Sequence, residues 1–218
     1  MKKITQLIPI LLTLLFILSA CGNITGQSTA ETEEFCSQRE KPYLRDLCYT
    51  ELGILREDLD ICELSENPQA VAHCYEKIAE KTNDLELCDQ VEDSYWSNIC
   101  FKFFAVQDTN KELCQKITSN RMKQTCFFDL AVESDQAELC LTLTDSNKQI
   151  TCINKIAQQL EDETICEKIE DRVAQGSCIR QIAIQLEDLS ICEQIEIQSI
   201  NENCLEEITS SAKSSSST

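Results

Sequence analysis

Glycine is nearly missing from this 218-residue chain: Gly22, Gly26, Gly53 and Gly176 are all there is. No phosphate-cradling loop and no dinucleotide fingerprint can be built from them. Histidine is rarer still, with His73 alone. A serine-histidine-acid site would have to recruit that residue with nothing to mark its partners, so the chain is not expected to be an enzyme. Basic residues number 19 against 38 acidic ones, a formal charge of −19, and such a surface repels nucleic acid and anionic bilayers. Aromatic residues stop at Phe128, and beyond the first twenty residues there is no long apolar run.

Cysteine, by contrast, is abundant. Fourteen of the fifteen fall in one rhythm, separated alternately by 12 and 14 residues: Cys36, Cys48, Cys62, Cys74, Cys88, Cys100, Cys114, Cys126, Cys140, Cys152, Cys166, Cys178, Cys192 and Cys204. The chain is therefore seven copies of a 26-residue unit, beginning at Glu31, Glu57, Asn83, Thr109, Asp135, Glu161 and Glu187 and filling 31–212 without an insertion. Residues 213–218 read as a disordered, serine-rich tail.

Cys21, the cysteine outside the pattern, is explained by its neighbours. Lys2 and Lys3 precede an apolar stretch from Leu7 to Leu18, so residues 1–20 read as a secretory signal. Leu18-Ser19-Ala20-Cys21 resembles the lipobox of prokaryotic lipoproteins. That resemblance implies that Cys21 is lipidated, becomes the mature N-terminus, and holds the protein to the cell membrane on its extracytoplasmic side. Residues 21–30 then form the lipidated cysteine and a small, polar, flexible tether, which includes a glycosylation sequon at Asn23.

Within a unit, apolar residues recur at spacings of three and four, the period of a helix. Position 5, counted from the first residue of a unit, is Phe35, Ile61, Leu87, Leu113, Leu139, Ile165 or Ile191; position 22 is Leu52, Ile78, Phe104, Leu130, Ile156, Ile182 or Ile208. Turn formers at positions 10 to 13, such as Asn67-Pro68 and Asp93-Ser94, divide a short helix from a longer one. Asn83 with Glu86, Thr109 with Glu112 and Asp135 with Glu138 have capping-box spacing at the unit start. The unit is a helical hairpin too small to fold alone, so the expected fold is all-α: a solenoid of seven stacked hairpins.

Outside the cytosol paired thiols oxidise, which makes disulfides the expected state of the ladder. Bridges within each unit (36 to 48, 62 to 74, and so on) leave no cysteine over, whereas bridges between consecutive units orphan Cys36 and Cys204. Completeness favours the first scheme. The alternative is a thiolate store for Cu(I) or zinc, although no Cys-x-x-Cys or Cys-x-x-x-Cys cluster occurs to support it. No metal ligand and no cofactor is assigned.

Departures from the repeat mark candidate contacts. Position 21 is polar in six units but Phe103 in the third, and position 20 is polar in six but Phe128 in the fourth. With Tyr95 and Trp96 they concentrate aromatic side chains in units 3 and 4, a candidate surface for an as yet undefined protein partner. Leu141 departs in the same way. The functional expectation is a rigid, acidic interaction scaffold or spacer.

Overall fold

A computed structural model describes residues 32–215. The signal segment, Cys21, the tether with Asn23, and residues 216–218 lie outside the described residues.

Seven short segments alternate with seven long helices. Units 1 to 4 contribute α1 (Glu33–Ser37), α2 (Pro42–Arg56), α3 (Leu59–Cys62), α4 (Pro68–Thr82), α5 (Leu85–Gln90), α6 (Ser94–Gln107), α7 (Lys111–Lys116) and α8 (Asn120–Glu133). Units 5 to 7 contribute α9 (Ala137–Cys140), α10 (Ser146–Leu160), α11 (Glu163–Lys168), α12 (Arg172–Leu186), α13 (Leu189–Cys192) and α14 (Gln198–Ser215). The segments α5 and α11 are 3-10 turns. Among the described residues there is no strand, and no helix is long and apolar enough to cross a membrane. Each long helix packs against the long helix of the next unit, while each short segment after the first wedges between its own long helix and the preceding one. The architecture is an α-solenoid of helical hairpins.

The unit boundary is built differently from the capping boxes the spacing suggests. Position 1 does not cap: Glu57, Asn83, Thr109, Asp135, Glu161 and Glu187 all stand in the left-handed region, with φ between 51° and 58°. This conformation turns the chain so that the amide of position 2 reaches back to the carbonyl at position 23 of the unit before. The distances run from 2.8 Å (Asn110 to Ala105) to 3.0 Å (Asp84 to Ala79), the 6→1 closure of a helix C-terminus. Position 2 then caps the next segment: Asp58, Asp84, Asn110, Asp162 and Asp188 each accept from the amide two residues on. One helix end and the next helix start thus share two residues, which is how so short a unit avoids stranded amides.

The seven bridges pair within units, with Cα–Cα separations of 5.4 to 5.8 Å. Every ladder cysteine is buried, none more than 4% exposed. Around them lie the apolar positions expected from the spacing: position 22 is at most 6% exposed throughout, and Val91, Ile117, Leu143, Ile169 and Ile195 at position 9 are buried as well. Position 23 is alanine in units 2 to 6, each 0% exposed, and Gly53 in unit 1. A Cβ on Gly53 would lie 2.8 Å from Cys74 Sγ and 2.9 Å from Cys62 Sγ, so the next bridge presses directly on this backbone. One core runs from Cys62 to Ile208, with a smaller cluster of Cys36, Cys48, Tyr49, Leu52 and Ile61 in unit 1. At the other end α14 continues to Ser215, three residues into the stretch read from sequence as a disordered tail.

Each bridge closes a loop of about 13 residues, worth roughly 3 kcal/mol. Replacing Cys114 and Cys126 together by Ala is expected to cost about that much and to split the solenoid into two separately melting blocks, because nearest-neighbour stacking carries cooperativity through unit 4. The same change at Cys192 and Cys204 should loosen only the last unit, and hydrogen exchange resolved along the chain distinguishes the two outcomes. Thr109, β-branched at φ 51°, offers the converse test. Thr109→Gly is expected to raise stability by about 1 kcal/mol in urea melts, since only glycine holds that conformation without steric cost.

Candidate functional site

The long helices lie side by side, so residues at positions 20 and 21 face each other across the seam between units. Lys102 Nζ at position 20 is 2.5 Å from Asp129 Oδ2 at position 21 of the next unit, and Arg180 meets Glu207 in the same way. Position 20 is therefore largely withdrawn from solvent in units 1 to 6, whereas position 21 stays exposed at Glu51, Lys155, Gln181 and Glu207. Thr50 and Glu76 are buried, and position 20 in units 3 to 6 is half-buried. Phe103 and Phe128 are accordingly seam residues, each packed partly against the core.

From this seam a groove of about 490 Å³ opens across α4, α6 and α8. Tyr95, Ile99, Phe103 and Met122 form its apolar lining, and Glu80, Lys102 and Arg121 stand on its rim. Tyr95 is 56% exposed. Phe103 is held edge-to-face on Phe104, centroids 5.2 Å apart, and Phe104 is itself core. Trp96 sits beside the groove, stacked on His73 at 4.2 Å and edge-on to Tyr95 at 5.1 Å. Of the four aromatics picked out by sequence, Tyr95 and Phe103 line the groove, Trp96 supports it from the adjoining seam, and Phe128 does not line it. Arg121 has no ion-pair partner among the described residues.

Beneath Trp96 lies a group that sequence reasoning missed. Glu76 is fully buried in α4, with Lys77 Nζ 3.1 Å from one oxygen and His73 Nδ1 3.4 Å from the other. Lys77 also holds Glu80 at 2.6 Å. Burial disfavours the Glu76 charge, but contacts from His73, Glu80 and Lys77 outweigh it and keep its pKa below the ordinary carboxylate range. Glu80 moves the other way: burial, together with the neighbouring Glu76, raises it against the opposing pull of Lys77. His73 is thus part of a packed ionic cluster. Among the described residues no group of three His, Cys, Asp or Glu side chains is placed to hold a metal, and all fourteen ladder sulfurs are bonded to one another.

A second feature invisible in the spacing is a clamp at position 16. Asn98 Oδ1 accepts from the backbone amide of Thr118 at 2.8 Å and from its hydroxyl at 3.3 Å. Gln124 does the same for Thr144, at 2.7 and 3.2 Å. In unit 1, Asp46 accepts from the Ser65 hydroxyl at 2.8 Å and the Glu66 amide at 2.9 Å. Each clamp ties a long helix to the turn of the following unit. Exposed apolar side chains also occur where no departure from the repeat marked them, at Tyr43, Leu47 and Leu55 of unit 1, while Leu141 is 46% exposed.

Comparison with known protein families, curated proteins and solved structures finds no match to this chain.

The Glu76 cluster sets a pH dependence. A carboxyl whose folded pKa lies below its unfolded value stabilises the fold fully above the unfolded pKa and loses that contribution as pH falls through the folded value. Glu80, raised in the fold, contributes in the opposite sense and takes up its proton first on acidification. Urea midpoints of the oxidised protein should therefore fall on the acid side of the ordinary carboxylate range. Glu76→Gln should flatten that limb, and carbon NMR of the two carboxyls should show Glu80 titrating above Glu76.

Proposed function

We propose that this protein is an exported lipoprotein, anchored to the cell membrane through Cys21, whose oxidised solenoid is a rigid acidic scaffold that engages a partner protein. The observation that supports this reading best is the groove formed by Tyr95, Ile99, Phe103 and Met122 on neighbouring long helices, whose positions are braced by buried bridges. An apolar anchor from the partner fills it, and Arg121 on the rim suits a carboxylate beside that anchor. Aromatic side chains presented on a pre-organised surface lose little entropy on binding. The complete pairing of the ladder sulfurs favours the scaffold over a Cu(I) or zinc store, because a bridged sulfur offers no thiolate. Nucleic acid is not a partner in this reading: the electrostatics that repel it extend along the chain, where unit 7 carries seven carboxylates and no basic residue.

Two measurements test this. Cys21→Ser should abolish incorporation of labelled fatty acid and release the protein from the membrane fraction, while Cys21 itself should be missing from any disulfide map. A photo-crosslinking residue at Tyr95 should capture one dominant partner from intact cells, and Phe103→Glu should reduce that capture at least about tenfold, the effect of losing ~1.4 kcal/mol of binding. Unchanged capture together with a lowered melting temperature would make Phe103 a core residue and remove the groove as the contact site.

A further inference from the structure

At three junctions the seam between hairpins opens into a cleft on the edge where short segment turns into long helix: about 260 Å³ between units 2 and 3, 440 Å³ between 5 and 6, and 430 Å³ between 6 and 7. All three use the same positions, 15, 16 and 19 of one unit with 8 and 10 of the next. They coincide with the loss of the position-16 clamp, for that residue is Ala72, Ile150 or Gly176 at the open junctions. Position 10 is a glutamate at all three open junctions, Glu92, Glu170 or Glu196, whereas at the closed ones it is Thr118 or Thr144 beside Asn98 or Gln124 and Glu66 beside Asp46.

The chain itself shows what a position-10 glutamate takes. Arg172 Nη1 lies 3.1 Å from Glu196 Oε2, and at the first junction Arg45 Nη2 lies 3.4 Å from Glu66 Oε1. Each arginine comes from the long helix of the preceding unit, at position 12 or 15. In unit 2 those two positions are Pro68 and Val71, so the neighbouring unit supplies no cation to Glu92, which has no ion-pair partner among the described residues. Glu92 and Glu63 line this cleft together with Val71, Ala72 and Tyr75, and Glu63 accepts from the Tyr75 hydroxyl at 2.7 Å. The Tyr75 phenol is pushed up to about 12, by burial first and then by Glu63, Asp60 and Glu92, which agrees with a negative potential in the cleft.

We propose that the cleft between units 2 and 3 binds an arginine side chain presented by a partner polypeptide, its guanidinium paired with Glu92 and Glu63 and its stem laid on Ala72, Val71 and the face of Tyr75. The planar fork suits two carboxylates and an aromatic face at once, which a lysine ammonium does not match. This site shares no lining residue with the aromatic groove and stands or falls without it.

The test is an amide NMR titration of the oxidised protein with acetyl-Gly-Arg-Gly-amide, against the same peptide carrying lysine or citrulline. The arginine peptide should give saturable shifts centred on Ala72, Tyr75 and Gln90, the lysine peptide weaker ones, and the citrulline peptide none. Glu92→Gln, a change at an exposed side chain, should weaken the arginine peptide about fivefold. Pro68→Arg, which copies Arg172, should fill the cleft from within and abolish binding while the spectrum stays folded. Equal response to lysine and arginine, shifts spread over every acidic face, no response at all, or full binding by Pro68→Arg would each overturn the proposal.

Discussion

Each hairpin of this protein is closed by a buried disulfide, and the rest of the structure depends on that closure. A unit of 26 residues holds a short segment and one long helix, too little to bury a core of its own. The bridge joins its two elements at Cα separations below 6 Å and fills the centre of the hairpin with sulfur, leaving positions 9, 19 and 22 to pack around it. All seven bridges are internal to units, so no covalent bond other than the backbone crosses a junction. The hairpins are rigid pieces, and whatever differs along the rod is decided at the seams.

The seams do differ. Asp46, Asn98 and Gln124 lock three of them with side-chain carbonyl or carboxylate oxygens, while Ala72, Ile150 and Gly176 leave three open. Ion pairs such as Lys102 with Asp129 lie across the same planes. They are partly exposed and worth at most about 1 kcal/mol each, so they select alignment more than they add stability. Two further uses account for part of the large acidic excess. Asp58, Asp84, Asp162 and Asp188 are spent locally, capping segment starts; carboxylates such as Glu63 and Glu92 edge clefts. Only the second kind is available to a partner.

Much of the fold was legible because a repeat prints its own alignment. Comparing seven copies separates what every hairpin needs from what one hairpin has added, and parity alone pointed to bridges within units. The candidate surface was only half legible. Tyr95 and Phe103 do meet in one groove, but Phe128 sits in the core fringe, because position 20 lies between parallel helices instead of facing water. Polarity there signalled cross-seam pairing, as in Arg180 with Glu207, as well as exposure. Fully buried Glu76, also at position 20, was missed for the same reason.

By itself the sequence determined the hairpin period and the apolar core, and it favoured pairing within units, because those rest on local spacing and on counting; the structure settled the pairing. Tertiary structure alone decided the turn between units, where position 1 adopts a left-handed conformation with Glu, Asn, Thr or Asp instead of the glycine that would have announced it. It also decided which seams close and which stay open, since that depends on a side chain at position 16 reaching a turn twenty residues away in the next hairpin. Contacts of that range follow from how hairpins stack, and stacking is a property of surfaces that no single unit contains.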